Sequence, residues 1–468
     1  SLPPLLLVPL TVSNSSAADF TATSRQTKFP AGDIKRKPVT GIKGMENGLI
    51  SVDRWTAGSQ VYFLTHLHSD HTQGLTSGWA RGPLFCSRLT AKLFPTRFPD
   101  FDLTLLRVVD IGVWNSVPLV SPSSGSRTVA RVMAIDAHHC PGAVMFLFRG
   151  DFGCLLYTGD FRWETTGERA KMGRAMLVNA LNGRTVDNLH LDNTYCNPSY
   201  DFPPREVAAQ EIVNLIASHP KHDVVIGIDS LGKEDLLLHI ALSLGIKIWV
   251  WPERLQTMHI LGFHDTFTTK TSLTRVRAVP RYSFSIETLE ALNATRPTIG
   301  IMPSGLPWVV RPVKGDANLS GSHLTARYKK RQPSGSSTGV EKLHQYMYSV
   351  LYSDHSCFSE IQEFMELVQP TIVKGIVCSS ACYVEPLYFF GRLCGVFSVD
   401  SHVQTKRRSE RAADVEINKS AAESGVEAVR KKMRSRAYYA AGGVKVSRTS
   451  VLRRVSRGAK IMDNDSAD

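Results

Sequence analysis

The segment Phe63-Leu64-Thr65-His66-Leu67-His68-Ser69-Asp70-His71 decides how this chain is interpreted. If a strand ends here, His66 and His68 point to the same side, because side chains in a strand repeat every two residues. Asp70 and His71 then fall in the following turn and face a second point in space. Imidazole and carboxylate are ligands of divalent transition metals, so the segment predicts a metal site with room for a second ion. The alternative is a surface turn that happens to be rich in histidine.

The length and charge of the chain suggest two domains and a polyanionic partner. At 468 residues the chain is too long for one ordinary core. The net charge of +13 favours nucleic acid as the partner, ahead of a membrane surface. Residues 401–468 contain 16 basic and 8 acidic side chains, so this basic tail is either a binding arm or a solvated disordered segment.

Cysteine usage and hydropathy exclude several classes. The 8 cysteines are scattered and form no C-x-x-C pair, which argues against a disulfide scaffold or a zinc finger and favours a reducing compartment. The sequence contains no run of about 18 apolar residues, so no membrane-spanning helix is expected.

Residues 1–45 are predicted to be a disordered or non-native extension. They are rich in Ser, Thr and Ala and contain Lys35, Arg36 and Lys37, which weakly resembles an organelle transit peptide. The preferred alternative is an extended reading frame whose natural start is Met45, because compact patterning begins only at Leu49.

Short apolar runs between residues 49 and 192 predict many strands whose ends carry histidine or aspartate. The predicted strands cover 49–53, 61–64, 129–135, 143–148, 154–157 and 189–192, with one helix at 89–94. Polar residues follow these runs at Asp53, His139, Asp160 and Asp192. This pattern indicates a sheet-rich sandwich with a site along one rim.

From residue 204 the pattern changes to alternating helices and strands. Helices are predicted at 205–218 and 233–244, and strands at 224–228 and 246–250, which implies a parallel sheet in a second domain. Residues 312–340 are predicted to be a mobile basic loop. A strand at 347–352 then leads into Ser353-Asp354-His355-Ser356, followed by a helix at 360–367 and a strand at 371–377. A helix at 421–436 is the one element expected in the tail.

These candidates suggest a division of roles around a metal pair. Asp160 could bridge two ions with one oxygen each, and such a pair, about 4 Å apart, activates a water and neutralises phosphoryl oxygens. Asp53 is suited to orient a ligand imidazole through its other ring nitrogen. Lys233, after a probable strand-to-helix turn, could form an anion site that binds a phosphate with help from the Ser230 hydroxyl. An ordinary capping turn is the alternative.

Taken together, the motifs resemble the DNA cross-link repair nucleases of the metallo-β-lactamase and β-CASP type. The resemblance covers about residues 46–395. The motifs that carry it are V-D-R-W at 52–55, H-x-H-x-D-H at 66–71, A-H-H-C-P-G-A-V-M-F-L-F at 137–148, L-Y-T-G-D-F-R at 156–162, L-D-N-T-Y-C-N-P at 191–198, S-L-G-K-E at 230–234 and Y-S-D-H-S at 352–356.

The resemblance implies an α/β fold: a metallo-β-lactamase αββα sandwich with an inserted β-CASP α/β domain. The lactamase domain would cover 46–203 and return at 351–400, the β-CASP domain 204–350, and a basic disordered tail 401–468.

The same resemblance implies the ligands. One zinc ion would be held firmly by His66, His68, His139 and Asp160. A second, weaker ion, zinc or magnesium, would be held by Asp70, His71 and Asp160. Asp192 and His355 would complete the catalytic site from the domain boundary. Adjacent histidines leave one choice open: His139 is preferred over His138 because it abuts Cys-Pro-Gly.

The function implied is metal-dependent 5′→3′ exonuclease activity on DNA, in interstrand cross-link repair or chromosome-end processing. The enzyme would act in the nucleus, as a monomer, on single-stranded or duplex 5′ ends, without a membrane partner. Two alternatives remain open: a non-catalytic DNA-end scaffold, and a small-molecule metallo-hydrolase such as a lactonase or thioesterase.

Overall fold

Two sheets pack face to face in the first part of the chain. The computed structural model describes residues 48–122, 124–305, 308–310, 339–377, 385–395, 446–448 and 458–461; for 308–310 and 446–448 it describes only the backbone. The elements up to residue 192 are β1 Gly48–Val52, β2 Ser59–Phe63, β3 Leu84–Ser87, α1 Arg88–Arg97, β4 Leu106–Val109, β5 Trp114–Val120, β6 Arg127–Asp136, β7 Val144–Gly150, β8 Gly153–Tyr157, α2 Glu168–Leu181 and β9 Asn188–Leu191.

The inserted part and the return segment complete the chain. The inserted elements are α3 Arg205–Ala217, β10 Asp223–Ile228, α4 Glu234–Leu244, β11 Ile248–Trp249, α5 Pro252–Ile260, β12 Phe267–Thr268, β13 Val276–Pro280, α6 Ile286–Asn293, β14 Thr298–Pro303, β15 Trp308–Val310, β16 Val340–His344 and β17 Met347–Val350. The return elements are α7 Phe358–Val368, β18 Ile372–Gly375, α8 Pro386–Phe390, β19 Val446–Arg448 and β20 Ala459–Ile461. Short 3₁₀ turns lie at Leu103–Leu105, Thr271–Leu273, Arg281–Ser283 and Gly391–Leu393.

The sandwich consists of a five-stranded and a six-stranded sheet. The first has the order β20-β1-β2-β3-β4, and the second has the order β18-β9-β8-β7-β6-β5. Phe63 of the first sheet packs on Phe146 and Phe148 of the second, with ring centroids 5.1 and 5.0 Å apart. In another core cluster, helices α1, α2 and α7 pack against the outer faces of the two sheets. The predicted αββα sandwich is therefore confirmed.

Strand β7 shows why the sequence predicted this core. Every residue from Val144 to Phe148 is buried, since the strand faces the other sheet on one side and helices on the other. A strand covered on both faces is apolar throughout rather than alternating.

The inserted part forms a seven-stranded sheet of order β12-β11-β13-β10-β14-β17-β16, and all its pairings are parallel except β16 with β17. Helices α3, α4 and α5 share one core cluster with it, and α6 contributes to a second. The predicted parallel sheet is present. Most of the predicted loop at 312–340 lies outside the described residues.

The tail departs from its prediction. Residues 459–461 were expected to be disordered, but Ile461 pairs with Ile50 as an antiparallel edge strand, and Ala459 and Ile461 are buried in the sandwich core. The edge of β1 offers unpaired backbone N–H and C=O groups, and this segment pairs with them. The charge composition that predicted a disordered tail gives no information about such pairing. Residues 446–448 also pair, with β15. The expected helix at 421–436 and residues 1–45 lie outside the described residues.

No helix within the described ranges has both the length and the apolar character needed to cross a bilayer.

Candidate metal centre

The predicted site residues meet at one rim of the sandwich, where strands of both sheets end. β1 and β2 run parallel, with Ile50 opposite Val61, so the residues that follow the two strands emerge at the same edge. The residues following strand ends at this rim are Asp53 after β1, His66 after β2, His139 after β6, Asp160 after β8 and Asp192 after β9.

Four side chains form the first cluster. The Nδ1 atom of His68 lies 3.1 Å from Nε2 of His66 and 3.0 Å from Nε2 of His139. One carboxylate oxygen of Asp160, Oδ2, lies 3.6 Å from His66 Nε2 and 3.5 Å from His139 Nε2. These are the four residues that the motif resemblance assigns to one ion. His66 and His68 lie beyond the end of β2, in a segment without regular secondary structure rather than on the strand itself.

The outward ring nitrogens of these histidines are all hydrogen-bonded. The His68 Nε2 and His139 Nδ1 atoms donate to the backbone carbonyls of Leu231 and Asp354, at 3.0 and 2.7 Å. The Thr65 hydroxyl donates to Asp53 and therefore accepts from His66 Nδ1, at 3.0 Å. Because a neutral imidazole has one N–H, the inward nitrogens carry lone pairs. Three lone pairs that converge within hydrogen-bond distance repel each other unless a cation lies between them.

Burial keeps these imidazoles neutral. Burial, followed by the charge of His71, lowers the pKa of His66 to about 3. Burial also lowers the pKa of His68, and burial together with His355 lowers that of His139 well below its usual value. Neutral imidazole is the form that binds a metal, so the cluster is already in its ligating state at neutral pH.

A second group of donors lies beside the first. The His71 Nε2 atom lies 3.1 Å from Asp160 Oδ1 and 3.9 Å from Asp70 Oδ2. This buried nitrogen makes no hydrogen bond to any residue that the structure describes. Asp160 thus presents one oxygen to each group. Burial lowers the pKa of His71, but the carboxylates of Asp160 and Asp53 outweigh it and raise that pKa well above its usual value.

Asp53 orients this second group. Its carboxylate accepts from the Thr65 backbone N–H at 2.9 Å, from the Thr65 hydroxyl at 2.7 Å and from His71 Nδ1 at 2.7 Å. The backbone of Asp53 adopts φ of 49°, which turns its side chain back towards the rim. Asp53 therefore holds the His71 imidazole through Nδ1 and leaves Nε2 on the side of Asp160. Its role as the outer partner of a metal ligand stays a prediction.

Asp192 and His355 form a third pair at the same rim. The His355 Nδ1 atom lies 2.8 Å from Asp192 Oδ2, and its ring centroid lies 4.5 Å from that of His139. Single donor atoms of His139, Asp160 and His355 all lie within 4.8 Å of one another. Asp192 thus contacts the cluster through His355.

Two further side chains lie beside the cluster. His138 turns away from it, with Nε2 3.7 Å from Asp136. The Cys140 sulfur lies within 4.8 Å of one ring nitrogen each of His66, His68 and His139, and burial raises the pKa of this thiol well above its usual value.

The predicted phosphate-binding lysine already has partners. The ammonium group of Lys233 lies 2.8 Å from Asp354 and 3.4 Å from Asp229. Arg254 holds Ser230 through its backbone carbonyl and not through the hydroxyl that was predicted to bind phosphate. Lys233 is the N-cap of α4 and has φ of 64°, rather than being its first helical residue. Phosphate binding by this pair stays a prediction, and it requires Lys233 to exchange a carboxylate for a phosphate.

Sequence reasoning assigned no role to several residues that hold the site. Thr65 links Asp53 to His66, while the carbonyls of Leu231 and Asp354 hold two imidazoles. Arg162 is fully buried and donates to Glu360 and to the Ser353 carbonyl, at 3.0 and 2.8 Å. Arg162 is the last residue of T-G-D-F-R, so its motif carried a signal, whereas backbone carbonyls leave none in a sequence.

The fold and the donor set define a class: a sandwich of the metallo-β-lactamase type whose rim carries side chains able to hold a divalent metal. A profile of the family described as DNA repair metallo-beta-lactamase matches residues 263–379.

Individual relatives extend the similarity across most of the chain. The 5′ exonuclease Apollo of Gallus gallus is 39% identical over 346 residues, which cover 72% of this chain and 63% of that protein. The 5′ exonuclease Apollo of Mus musculus is 38% identical over 337 residues, or 71% of this chain and 54% of that protein. The DNA cross-link repair protein SNM1 of Arabidopsis thaliana is 32% identical over 324 residues, or 67% and 60%.

The chain thus spans between about half and two thirds of the length of these relatives. The resemblance to the DNA cross-link repair nucleases that its motifs predicted is confirmed.

Proposed function

We propose that this protein is a metal-dependent 5′→3′ exonuclease that hydrolyses phosphodiester bonds in DNA. The observation that carries the proposal is the convergence of His66, His68, His139 and Asp160 on one point, in a chain similar to proteins named 5′ exonuclease. Cross-link repair and chromosome-end processing are the settings that such relatives suggest.

The first ion is proposed to be zinc. Tetrahedral ligation at about 2.0–2.1 Å places neighbouring ligand atoms roughly 3.3 Å apart. The distances of 3.0–3.6 Å among the four side chains agree with that spacing. Three imidazole nitrogens also favour zinc over magnesium, which prefers oxygen ligands.

A second, weaker ion is proposed at His71, Asp70 and Asp160. Its donors are two carboxylates and one imidazole, a mixed set compatible with zinc or magnesium. Asp160 would serve both ions, since its two oxygens face different imidazoles. When bound, the ions activate a water and neutralise the charge on the phosphoryl oxygens.

His355 is proposed to act on the leaving oxygen of the phosphodiester. Because Nδ1 bonds to Asp192, the ring presents Nε2 on its opposite side. A proton held at His355 Nε2 steadies the charge that develops on the oxygen as the bond to phosphorus breaks. Asp192 keeps the ring in that orientation. It also accepts from the Phe161 backbone N–H at 3.3 Å.

The remaining expectations concern the setting of the enzyme. The net charge of +13 suits a polyanion such as DNA, and the repair relatives suggest a nuclear location.

A monomer is proposed, because one chain supplies all six predicted metal ligands. Domain limits of 46–203, 204–350 and 351–400 agree with the membership of the three main sheets, although β20 extends the first sheet beyond them.

The proposal is tested by digesting 3′-labelled oligonucleotides with the full chain. Single-stranded DNA with a 5′-phosphate should be shortened stepwise from that end, with 5′-hydroxyl DNA, hairpin DNA and RNA as comparisons. His66→Ala and Asp70→Ala should abolish digestion, because each removes a ligand. Undiminished digestion by both variants in metal-stripped buffer contradicts the assigned site. Absence of digestion by a metal-loaded parent chain favours a DNA-end scaffold.

A further inference from the structure

The loop Ser230–Lys233 connects β10 to α4 in the inserted sheet, yet it lies against the metal ligands of the sandwich. Its Leu231 carbonyl accepts the outward N–H of His68 at 3.0 Å. The loop is therefore the one contact among the described residues through which the insert holds a ligand imidazole directly.

The shape of this loop is fixed by groups that point away from the metal ligands. Arg254, which is 1% exposed, donates to the carbonyl of Ser230 and, at 2.7 Å, to that of Gly232. The Gly232 N–H donates to the side chain of Glu234 at 3.0 Å. Gly232 and Lys233 adopt φ of 107° and 64° in succession. With the carbonyls on either side held by Arg254, the Leu231 carbonyl is left to face His68.

The same loop reaches a second ligand through Lys233. Its ammonium group pairs with the Asp354 carboxylate at 2.8 Å, and both side chains are nearly buried. The backbone carbonyl of Asp354 accepts the outward N–H of His139 at 2.7 Å.

We propose that the loop Ser230–Lys233 positions two metal ligands, His68 through the Leu231 carbonyl and His139 through the Lys233–Asp354 pair. Lys233 is then a positioning residue for His139. The inference rests on the metal site of the proposed function, and it makes the inserted sheet part of that site. Outer partners of ligand imidazoles set ring orientation and tune metal affinity.

The test is a titration of the metal-free full chain with cobalt(II), followed by the visible absorption of the bound ion. Lys233→Met should weaken cobalt binding by about 10–100-fold, the range for lost outer partners of a metal ligand, and should alter the visible bands. Lys233→Arg should retain most of the affinity, because a guanidinium also pairs with Asp354. The matched control is Lys171→Met, since Lys171 pairs with Glu168 on the surface, 70% exposed.

A second variant keeps the test valid if Lys233→Met does not fold. Asp354→Asn keeps the backbone carbonyl and nearly the same shape, and it should weaken cobalt binding in the same range. The double variant should bind no more weakly than the weaker single variant, because both changes break one contact. Parent-like cobalt affinity and bands in both single variants overturn the proposal.

One outcome would assign Lys233 to phosphate binding instead. If Lys233→Met binds cobalt like the parent but no longer distinguishes 5′-phosphate from 5′-hydroxyl DNA, Lys233 binds the terminal phosphate and the positioning role is overturned. The cobalt readout needs no nuclease activity. A parent chain without nuclease activity whose variants still differ in cobalt binding contradicts the proposed function and leaves the positioning role standing.

Discussion

Buried carboxylates have different partners in the sandwich and in the inserted sheet. In the inserted sheet, Asp223 is 3% exposed and lies 2.5 Å from the guanidinium of Arg277. In the sandwich, Asp160 is 1% exposed and faces His66, His71 and His139.

A carboxylate beside an arginine is neutralised by the chain itself. Burial holds His66 and His139 neutral, so His71 is the one of these three imidazoles that brings positive charge, and Asp160 shares it with the buried carboxylate of Asp53. Two buried carboxylates thus face one imidazolium. Buried charge without compensation is costly, and a bound cation removes that cost. The kind of partner, rather than the buried carboxylate itself, therefore distinguishes a metal site from a structural ion pair.

The largest effect expected from this contrast is at Asp160. Asp160→Asn keeps the shape but removes the charge that the two proposed ions would share, so stoichiometric metal should be lost. The loss of several kcal/mol of transition-state stabilisation should lower the rate of DNA cleavage by at least about 10³-fold. Asp223→Asn, the control in the inserted sheet, should leave metal content unchanged. Elemental analysis and oligonucleotide digestion measure both quantities, and full metal content in Asp160→Asn would remove the basis of the comparison.

Buried arginine pairs allow the two regions to be compared for stability. Arg162 pairs with Glu360 at 2.9 Å in the sandwich, and Arg254 pairs with Glu234 at 2.7 Å in the insert. Removing one partner leaves an uncompensated buried charge, so Arg162→Met and Arg254→Met should each lower the free energy of unfolding by about 3–5 kcal/mol. Denaturant unfolding of the metal-free protein measures this. A loss below 1 kcal/mol in either variant would show that water reaches the remaining carboxylate.

The smallest effect distinguishes two helix caps. Ser87 is buried, caps α1 by accepting from the Thr90 N–H at 3.1 Å, and donates to the Gly142 carbonyl at 2.6 Å. Ser285 is half-buried and caps α6 by accepting from the Thr288 N–H at 3.2 Å.

Ser87→Ala should cost about 1–2 kcal/mol and Ser285→Ala about 0.5–1 kcal/mol, because only the first change also leaves a buried carbonyl with one partner fewer. The difference in stability is measured from the denaturant midpoints of the two variants, provided that the dependence of the unfolding free energy on denaturant concentration is the same. Equal losses would mean that the bond to Gly142 contributes little to stability.

Three of the elements that were not predicted from the sequence each have their own physical reason. Strand β5 lies at a sheet edge, where a proline such as Pro118 is tolerated. Buried and exposed residues alternate along its second half, so the strand lacks a continuous apolar run. Helix α2 has Gly167 as its N-cap, which offers no side-chain hydrogen bond, and it contains Gly173, which weakens its helical pattern. Strand β20 exists because β1 offers it an unpaired edge, and no local pattern of residues 459–461 records that.

The sequence by itself determined the donor set and its division. H-x-H-x-D-H, the histidine before Cys-Pro-Gly and Asp160 follow from residue types whose lone pairs suit a divalent ion, and their places after apolar runs put them at strand ends. Tertiary structure decided what surrounds them: His139 instead of His138 in the cluster, and Lys233 paired with Asp354. Backbone carbonyls 163 and 215 residues away in the chain hold His68 and His139. Every residue has a carbonyl, so only folding shows which one meets an imidazole.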